Sequence, residues 1–541
     1  MDRALNLGLL AGALGGQQGL PTPEDLQRRL ADAEVQLFRR QTTIPDDLLE
    51  TAWYLHGIAS VDQAQQLYTV ARQRQAFAVS AHVFDMALAD PRWGRADRII
   101  LGFAAAIGYR RGDRDPNATA IMRRLRDGIS VEPPALQHID SLAVEAGLAL
   151  IGFETRTLFG WFASWRRQLH ELSQLVELPD LSTTGYGTTH AVILGGEDLL
   201  HYLARGNGDR LARARERLLA ATLGQWGPGE LAARWVAFHL LALADEAATG
   251  SVWSPDLLPP DLPDAVRHAF TLGSPPVLTL WSPQKELLTS DPSPFSSQVR
   301  RMVLSVPTSG GKTLVAQLLA LAHLETGSTS VCYVAPTRSL CREVRRSMAS
   351  RLRVLQKETG PDRPDFPSFD EILRQGGDIW DALITEIGAD EPPPDVEVLT
   401  PERLHHLIRH DADAVLNRFG MFIFDEAQLI KESSRGFTLE SVIAYLHHRT
   451  RDTEHRIILL SAAMGNAAQI ARWIAPDGPA TLFESQWRGP RRLHALFTTE
   501  PLWEKTTWER SRGIFPFRLF YPLKGTVCLR LSDGKTVRLP I

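Results

Sequence analysis

Two stretches of this sequence hold the residue types needed to handle a polyphosphate. The first, Ser305-Val306-Pro307-Thr308-Ser309-Gly310-Gly311-Lys312-Thr313, follows the apolar run Met302-Val303-Leu304 and leads into Leu314-Val315-Ala316-Gln317-Leu318. Strand, glycine-bearing loop and helix in that order is the context a phosphate-binding loop requires. Gly310 and Gly311 let the backbone turn its amides inward, with Thr308 and Ser309 in the same turn. The helix behind offers free N–H groups and a positive dipole end. Lys312 is placed to pair with terminal phosphate oxygens and Thr313 to ligate magnesium. Val306 stands where the general pattern G-x-x-x-x-G-K-[ST] has its first glycine. The second stretch is Asp425-Glu426-Ala427-Gln428, directly after Met421-Phe422-Ile423-Phe424. An acid at the tip of a buried strand can hold magnesium, commonly through water. The next carboxylate is placed to orient and deprotonate an attacking water. Two adjacent acids also occur at plain strand exits; the phosphate loop upstream favours the chemical reading.

These residues need a scaffold that brings them together. Apolar, β-rich runs at 302–306, 331–335, 396–399, 421–424 and 457–460, with a weaker sixth at 481–483, alternate with helical runs. Short continuous apolar strands separated by helices imply a parallel sheet covered on both faces. Ligands of such sheets sit beyond the carboxyl ends of the strands, where the polar clusters fall. The front of the chain, up to about residue 250, reads as an all-α domain. Apolar positions recur every three or four residues through Leu67, Val70, Phe77, Ala81, Phe84 and Leu88, and Asp90-Pro91 closes that helix. Thr22-Pro23-Glu24-Asp25 reads as an N-cap with proline at the first helical position. Further amphipathic segments cover 135–156, 158–175, 199–221 and 230–247. Trp53, Trp161, Trp165, Trp226 and Trp235 fall at helical spacing and are expected in the core. Gly185-Tyr186-Gly187 and Gly195-Gly196 read as turns.

Prolines at 255, 259, 260, 263, 275 and 276 give 251–279 the composition of a linker. The expected division is therefore a helical domain (1–250), a linker (251–279), an α/β domain (280–490) and a β-rich tail (491–541). In that tail 526–531 and 536–539 flank Ser532-Asp533-Gly534-Lys535, a hairpin signal. Residues 357–394, rich in acids and prolines, read as an insertion.

A chain of 541 residues with a net charge of −4 has no bulk cationic field, so any grip on a polyanion must be local. The helix after residue 338 offers one such cluster, Arg342, Arg345, Arg346, Arg351 and Arg353, for which a solvated basic face is the competing reading. Arg210 to Arg217 reads as a solvated helix face. Three cysteines without a C-x-x-C pair argue against a disulfide framework or a zinc site. No uncharged apolar run reaches the length of a membrane helix. The start, with its apolar run from Leu5 to Leu14, is read as a first helix or an ordered tail.

The order of these motifs resembles the first motor domain of superfamily 2 helicases, and within them the DExH branch, here with a DEAQ box; the resemblance covers 280–490. It implies a RecA-like fold, ATP and Mg2+ as ligands, a nucleic-acid partner and a cytoplasmic setting. Leu280-Trp281-Ser282-Pro283-Gln284 resembles the Q motif, in which Gln284 reads the adenine edge. Ala335-Pro336-Thr337-Arg338 and Leu399-Thr400-Pro401-Glu402-Arg403 resemble the two motifs that track a strand. Pro336, Thr337, Arg338, Thr400 and Arg403 are thus expected on the nucleic-acid face, where hydroxyl, guanidinium and backbone donors suit phosphate oxygens.

Ser461-Ala462-Ala463 stands for the usual Ser-Ala-Thr, which couples hydrolysis to strand separation, and Ala463 lacks the family's hydroxyl. Gln428 stands where the branch more often has histidine; it can hydrogen-bond across the cleft but cannot carry a proton. Arg435-Gly436-Phe437-Thr438-Leu439-Glu440 and Gly465-Asn466 also resemble this branch. The catalytic set so implied is Lys312, Glu426 and Gln428. In this superfamily a second RecA-like domain completes the ATP site. Its motifs are not found after Pro490, and the chain is expected to be the front part of a longer helicase, slow in ATP turnover alone. Two other readings stand beside it: an ATP-binding interaction module whose helical domain docks a protein partner, and a translocase subunit of a restriction or phage-defence system.

Overall fold

The computed structural model describes residues 22–38, 43–65, 68–125, 139–152, 155–175, 187–223, 231–307, 310–326, 329–359, 395–431, 435–462, 466–475, 481–485, 487, 495–498, 526–530 and 536–540. Thr308, Ser309, Ala463, Gly465, Trp226, the start of the chain, the insertion at 360–394 and the hairpin loop at 532–535 lie outside the described residues.

The front of the chain is helical, as its periodicity requires. The N-cap at Thr22 forms as expected: its hydroxyl accepts from the Asp25 N–H at 3.2 Å and opens a helix over Pro23–Phe38. The segment expected as one helix at 199–221 is instead two, α8 (Gly187–Arg205) and α9 (Gly208–Leu223), broken at Gly206, whose φ is +73°. Gly195 and Gly196, expected as a turn, lie inside α8. The reason is packing. A Cβ on Gly195 would meet Leu218 of α9 at 2.8 Å, so the missing side chain lets the two helices close on each other. Trp161, Trp165 and Trp235 are buried in this core and Trp53 packs against it, as expected.

The proline-rich stretch 251–279 is not a linker in this structure. It holds helix α11 (Asp264–Thr271), and Val252, Leu257, Leu258, Leu262, Val266 and Phe270 belong to the same buried cluster as the sheet that follows. Prolines supply carbonyls but no N–H, so such a loop needs an outside donor to be buried. Arg267, 7% exposed, is that donor. Its guanidinium bonds the carbonyls of Leu262 (2.6 Å), Pro259 (2.7 Å) and Val252 (3.2 Å). The same stretch holds the two halves together: the Thr271 hydroxyl donates to Ala204 O at 2.7 Å and the Trp253 indole to Leu203 O at 2.9 Å. Farther on, the short helix α12 (Ser282–Leu288) is tied to the helical half where the Ser282 hydroxyl donates to Asp113 at 2.5 Å.

The second half is built on six parallel strands: β1 (Arg301–Ser305), β2 (Ser330–Val334), β3 (Val396–Leu399), β4 (Phe419–Phe424), β5 (Arg456–Ser461) and β6 (Thr481–Glu484). Their spatial order is β3-β2-β4-β5-β1-β6. All six expected strands are present, and helices cover both faces. Alternate residues feed separate cores: Met421 and Ile423 point to one face, Phe422 and Phe424 to the other. Strands 495–498, 526–530 and 536–540 form a separate antiparallel sheet, and the expected hairpin strands pair Thr526 with Pro540.

Candidate active site

The strand order sets the site. Along the carboxyl edge, the ends of β3 and β2 lie side by side (Leu399 opposite Val334), then β4, β5 and β1 follow. The loop after β1 and the acids after β4 therefore flank the end of β5, where Ser461 O accepts from Val306 N at 3.1 Å.

In the loop, Gly311 has φ +80°, a conformation that favours glycine. A Cβ there would lie 1.9 Å from Nε2 of Gln284. Gln284 is 3% exposed, and its Oε1 accepts from the Trp281 N–H at 2.8 Å at the start of α12. The residue expected to read an adenine edge thus packs directly beneath the phosphate loop. Helix α13 (Lys312–Thr326) begins here and aims its free N–H groups at the cleft.

Lys312 and the acid pair come together. Lys312 Nζ lies 3.0 Å from Glu426 Oε1, and Lys312 is buried. Glu426 has φ +54°, rare for a residue with a side chain, and this turn directs its carboxylate back over the cleft. Its other oxygen accepts from Gln428 Nε2. Gln428 Oε1 in turn accepts from the Ala462 N–H at 3.1 Å and the Ser461 hydroxyl at 3.0 Å. Ser461 and Ala462 are therefore joined to Glu426 through one glutamine side chain.

Asp425 is 4% exposed. Burial raises its carboxyl above the usual range, and the neighbouring Glu426 adds to this; a Tyr333 hydrogen bond and Lys312 oppose it. The Tyr333 hydroxyl donates to Asp425 Oδ2 at 2.8 Å, and the Glu426 N–H to Oδ1 at 2.9 Å. Tyr333 was missed in reading the sequence. The available signal was a polar-tipped side chain inside the otherwise apolar strand Val331-Cys332-Tyr333-Val334.

Thr313 and Asp425 offer oxygen donors, and with Glu426 paired to Lys312 the Asp425 carboxyl is the acid left over. That suits Mg2+, which commonly takes one or two carboxylates plus phosphate oxygens. Among the described residues no group of three or more His, Cys, Asp or Glu side chains forms a complete metal cage.

Residues 293–470 match the family model described as DEAD/DEAH box helicase. That match takes in β1 to β5, Lys312 and the acid pair. The ATP-dependent DNA helicase Hel308 of Thermoplasma acidophilum is 32% identical over 189 residues, 35% of this chain and 24% of that protein. Hel308 of Thermococcus kodakarensis is 28% identical over 226 residues, 42% of this chain and 17% of that protein. The Hachiman protein HamB of Bacillus cereus is 27% identical over 261 residues, 47% of this chain and 21% of that protein. The chain thus matches about a quarter or less of the length of each of these relatives.

In the helicase domain the expected nucleic-acid residues gather after β2 and β3. Thr337 and Arg338 are exposed, Pro336 is buried, and Thr400 and Arg403 are half-buried. Thr337 and Thr400 use their hydroxyl oxygens as N-caps, accepting from Leu340 N (3.2 Å) and Arg403 N (3.4 Å). Each still has its own proton to donate. The basic helix that follows, α14 (Arg338–Thr359), is not uniformly basic at its surface. Arg342, Arg346 and Arg353 are exposed, but Arg351 is 2% exposed. It donates to Gln317 Oε1 at 2.9 Å and lies over the Phe270 ring at 4.2 Å. Arg345 is half-buried and bonds Val398 O. These two arginines hold the fold rather than offer a phosphate contact. Among the described residues no helix is long and apolar enough to cross a membrane.

Proposed function

We propose that the protein is an ATP-dependent helicase or translocase that moves on a nucleic-acid strand, with ATP as fuel and Mg2+ as the accompanying ion. The observation that carries this reading is the convergence of Lys312, Asp425 and Glu426 on one cleft at the carboxyl edge of the sheet. Before nucleotide arrives, Lys312 is neutralised by Glu426. A terminal phosphate competes for the lysine and leaves Glu426 held by Gln428, free to orient a water and take its proton. Thr313 and Asp425 would hold Mg2+, whose chemistry is to neutralise charge on the phosphate oxygens. Because Gln428 also bonds the end of β5, movement of Glu426 is transmitted to Ser461 and Ala462, the coupling segment. Thr337, Arg338, Thr400 and Arg403 would hold the strand by its backbone. The relatives named as DNA helicases make DNA the strand to test first. We further assign the protein to the cytoplasm, where ATP is available, with the helical half as the module that docks a protein partner.

The likeness to HamB favours a second reading, a translocase subunit of a defence system. Both readings predict strand-stimulated ATP turnover. The test compares wild type and Glu426→Gln with and without single-stranded DNA or RNA. Wild type should be stimulated by the strand. The variant should lose roughly 100-fold or more in rate, as expected for a general base, while retaining nucleotide binding. Turnover that ignores both the strand and the substitution would overturn the proposal.

A further inference from the structure

Tyr333 is fully buried on β2 within the apolar cluster of the sheet, yet its hydroxyl reaches the acid at the end of β4. It donates to Asp425 Oδ2 at 2.8 Å. Asp425 follows β4 and Tyr333 lies on the neighbouring β2, so the hydroxyl reaches the acid across one strand pair.

We propose that Tyr333 is a positioning residue for the divalent cation: it fixes the orientation of Asp425, the carboxylate that would ligate it. A hydroxyl has one proton and two acceptor sites. The Tyr333 proton is committed to Asp425 Oδ2, which leaves the other lone pairs of that carboxylate oxygen for the cleft. Asp425 is held at both oxygens, by Tyr333 and by the Glu426 N–H, so its rotation is fixed before any ion binds. Partners of this outer kind typically change metal affinity 10–100-fold when removed. Phenylalanine would fill the same space and lose only the hydroxyl.

The inference rests on the proposed Mg2+ site at Thr313 and Asp425, and the experiment separates the two. Fluorescent ADP is bound to wild type and Tyr333→Phe across a Mg2+ titration and in EDTA, with thermal melts alongside. In the variant the half-saturating Mg2+ concentration should rise about tenfold, with ADP affinity in EDTA and the melting temperature close to wild type. A merely structural role would lower both binding curves and the melt together, without moving the Mg2+ midpoint. An unchanged Mg2+ midpoint in the variant, against a clear Mg2+ dependence in wild type, overturns the inference and leaves the site standing. Mg2+-independent binding in wild type overturns both. Should the phenylalanine variant aggregate, Tyr333→Met removes the same hydroxyl and is read in the same way.

Discussion

Replacing Gly311 by alanine tests whether the phosphate loop and the glutamine beneath it form one unit. Two costs are separable. At φ +80° a side chain is strained by about 1–2 kcal/mol whatever surrounds it. The new Cβ would also sit 1.9 Å from Gln284 Nε2 and 2.9 Å from its Cδ, so the amide must move. Gln284 is buried, and moving it breaks its bond to Trp281 N, roughly another 0.5–1.5 kcal/mol. The sum, about 1.5–3.5 kcal/mol, is large against ordinary surface substitutions. Urea unfolding and fluorescent-nucleotide binding would be measured for Gly311→Ala, Gln284→Ala and the double variant. The backbone strain should persist in the double variant, whereas the collision should vanish, giving a coupling energy of about 1 kcal/mol. Additivity within about 0.3–0.5 kcal/mol, or a Gly311→Ala protein as stable as wild type, would refute the packing argument.

Asp115, at the start of the helix Asp115–Leu125, is pushed up to about 6 by burial, partly offset by Arg110. Its folded value lies above the unfolded one, so its contribution is fully present below about pH 4 and lost as pH rises to about 6. Asp115→Asn should therefore stabilise the protein at pH 7.5 by about 2–3 kcal/mol and not at pH 4; an equal gain at both, by thermal melts, would contradict this. Arg338 is exposed beside β2, and Arg338→Ala should weaken binding to all strands alike, reducing the salt slope by about one. Unchanged binding across a salt series would remove it from the nucleic-acid face.

The sheet and its site were legible because each strand is a short apolar run ending in the residues that do the chemistry. Position along the edge follows from sheet topology, and residue type is written in the motifs. What escaped the sequence shares one cause: its meaning depends on a partner far along the chain. Gly195-Gly196 looks like a turn until Leu218 is packed against it. The proline-rich stretch looks like a linker until Arg267 collects the carbonyls of Val252, Pro259 and Leu262. Arg351 looks like its exposed neighbours on α14 until Phe270 and Gln317 surround it. Tyr333 looks like one more strand residue until Asp425 meets its hydroxyl.

Helix α12 bears on two distant places at once. One end is bonded to Asp113 of the helical half through Ser282, and two residues later Gln284 supports Gly311. Seven residues form that splint. A displacement of the loop at Gly311 that shifts Gln284 would bear on Ser282 and its bond to Asp113. The helical half is thus joined, through one short helix, to the glutamine packed under Gly311.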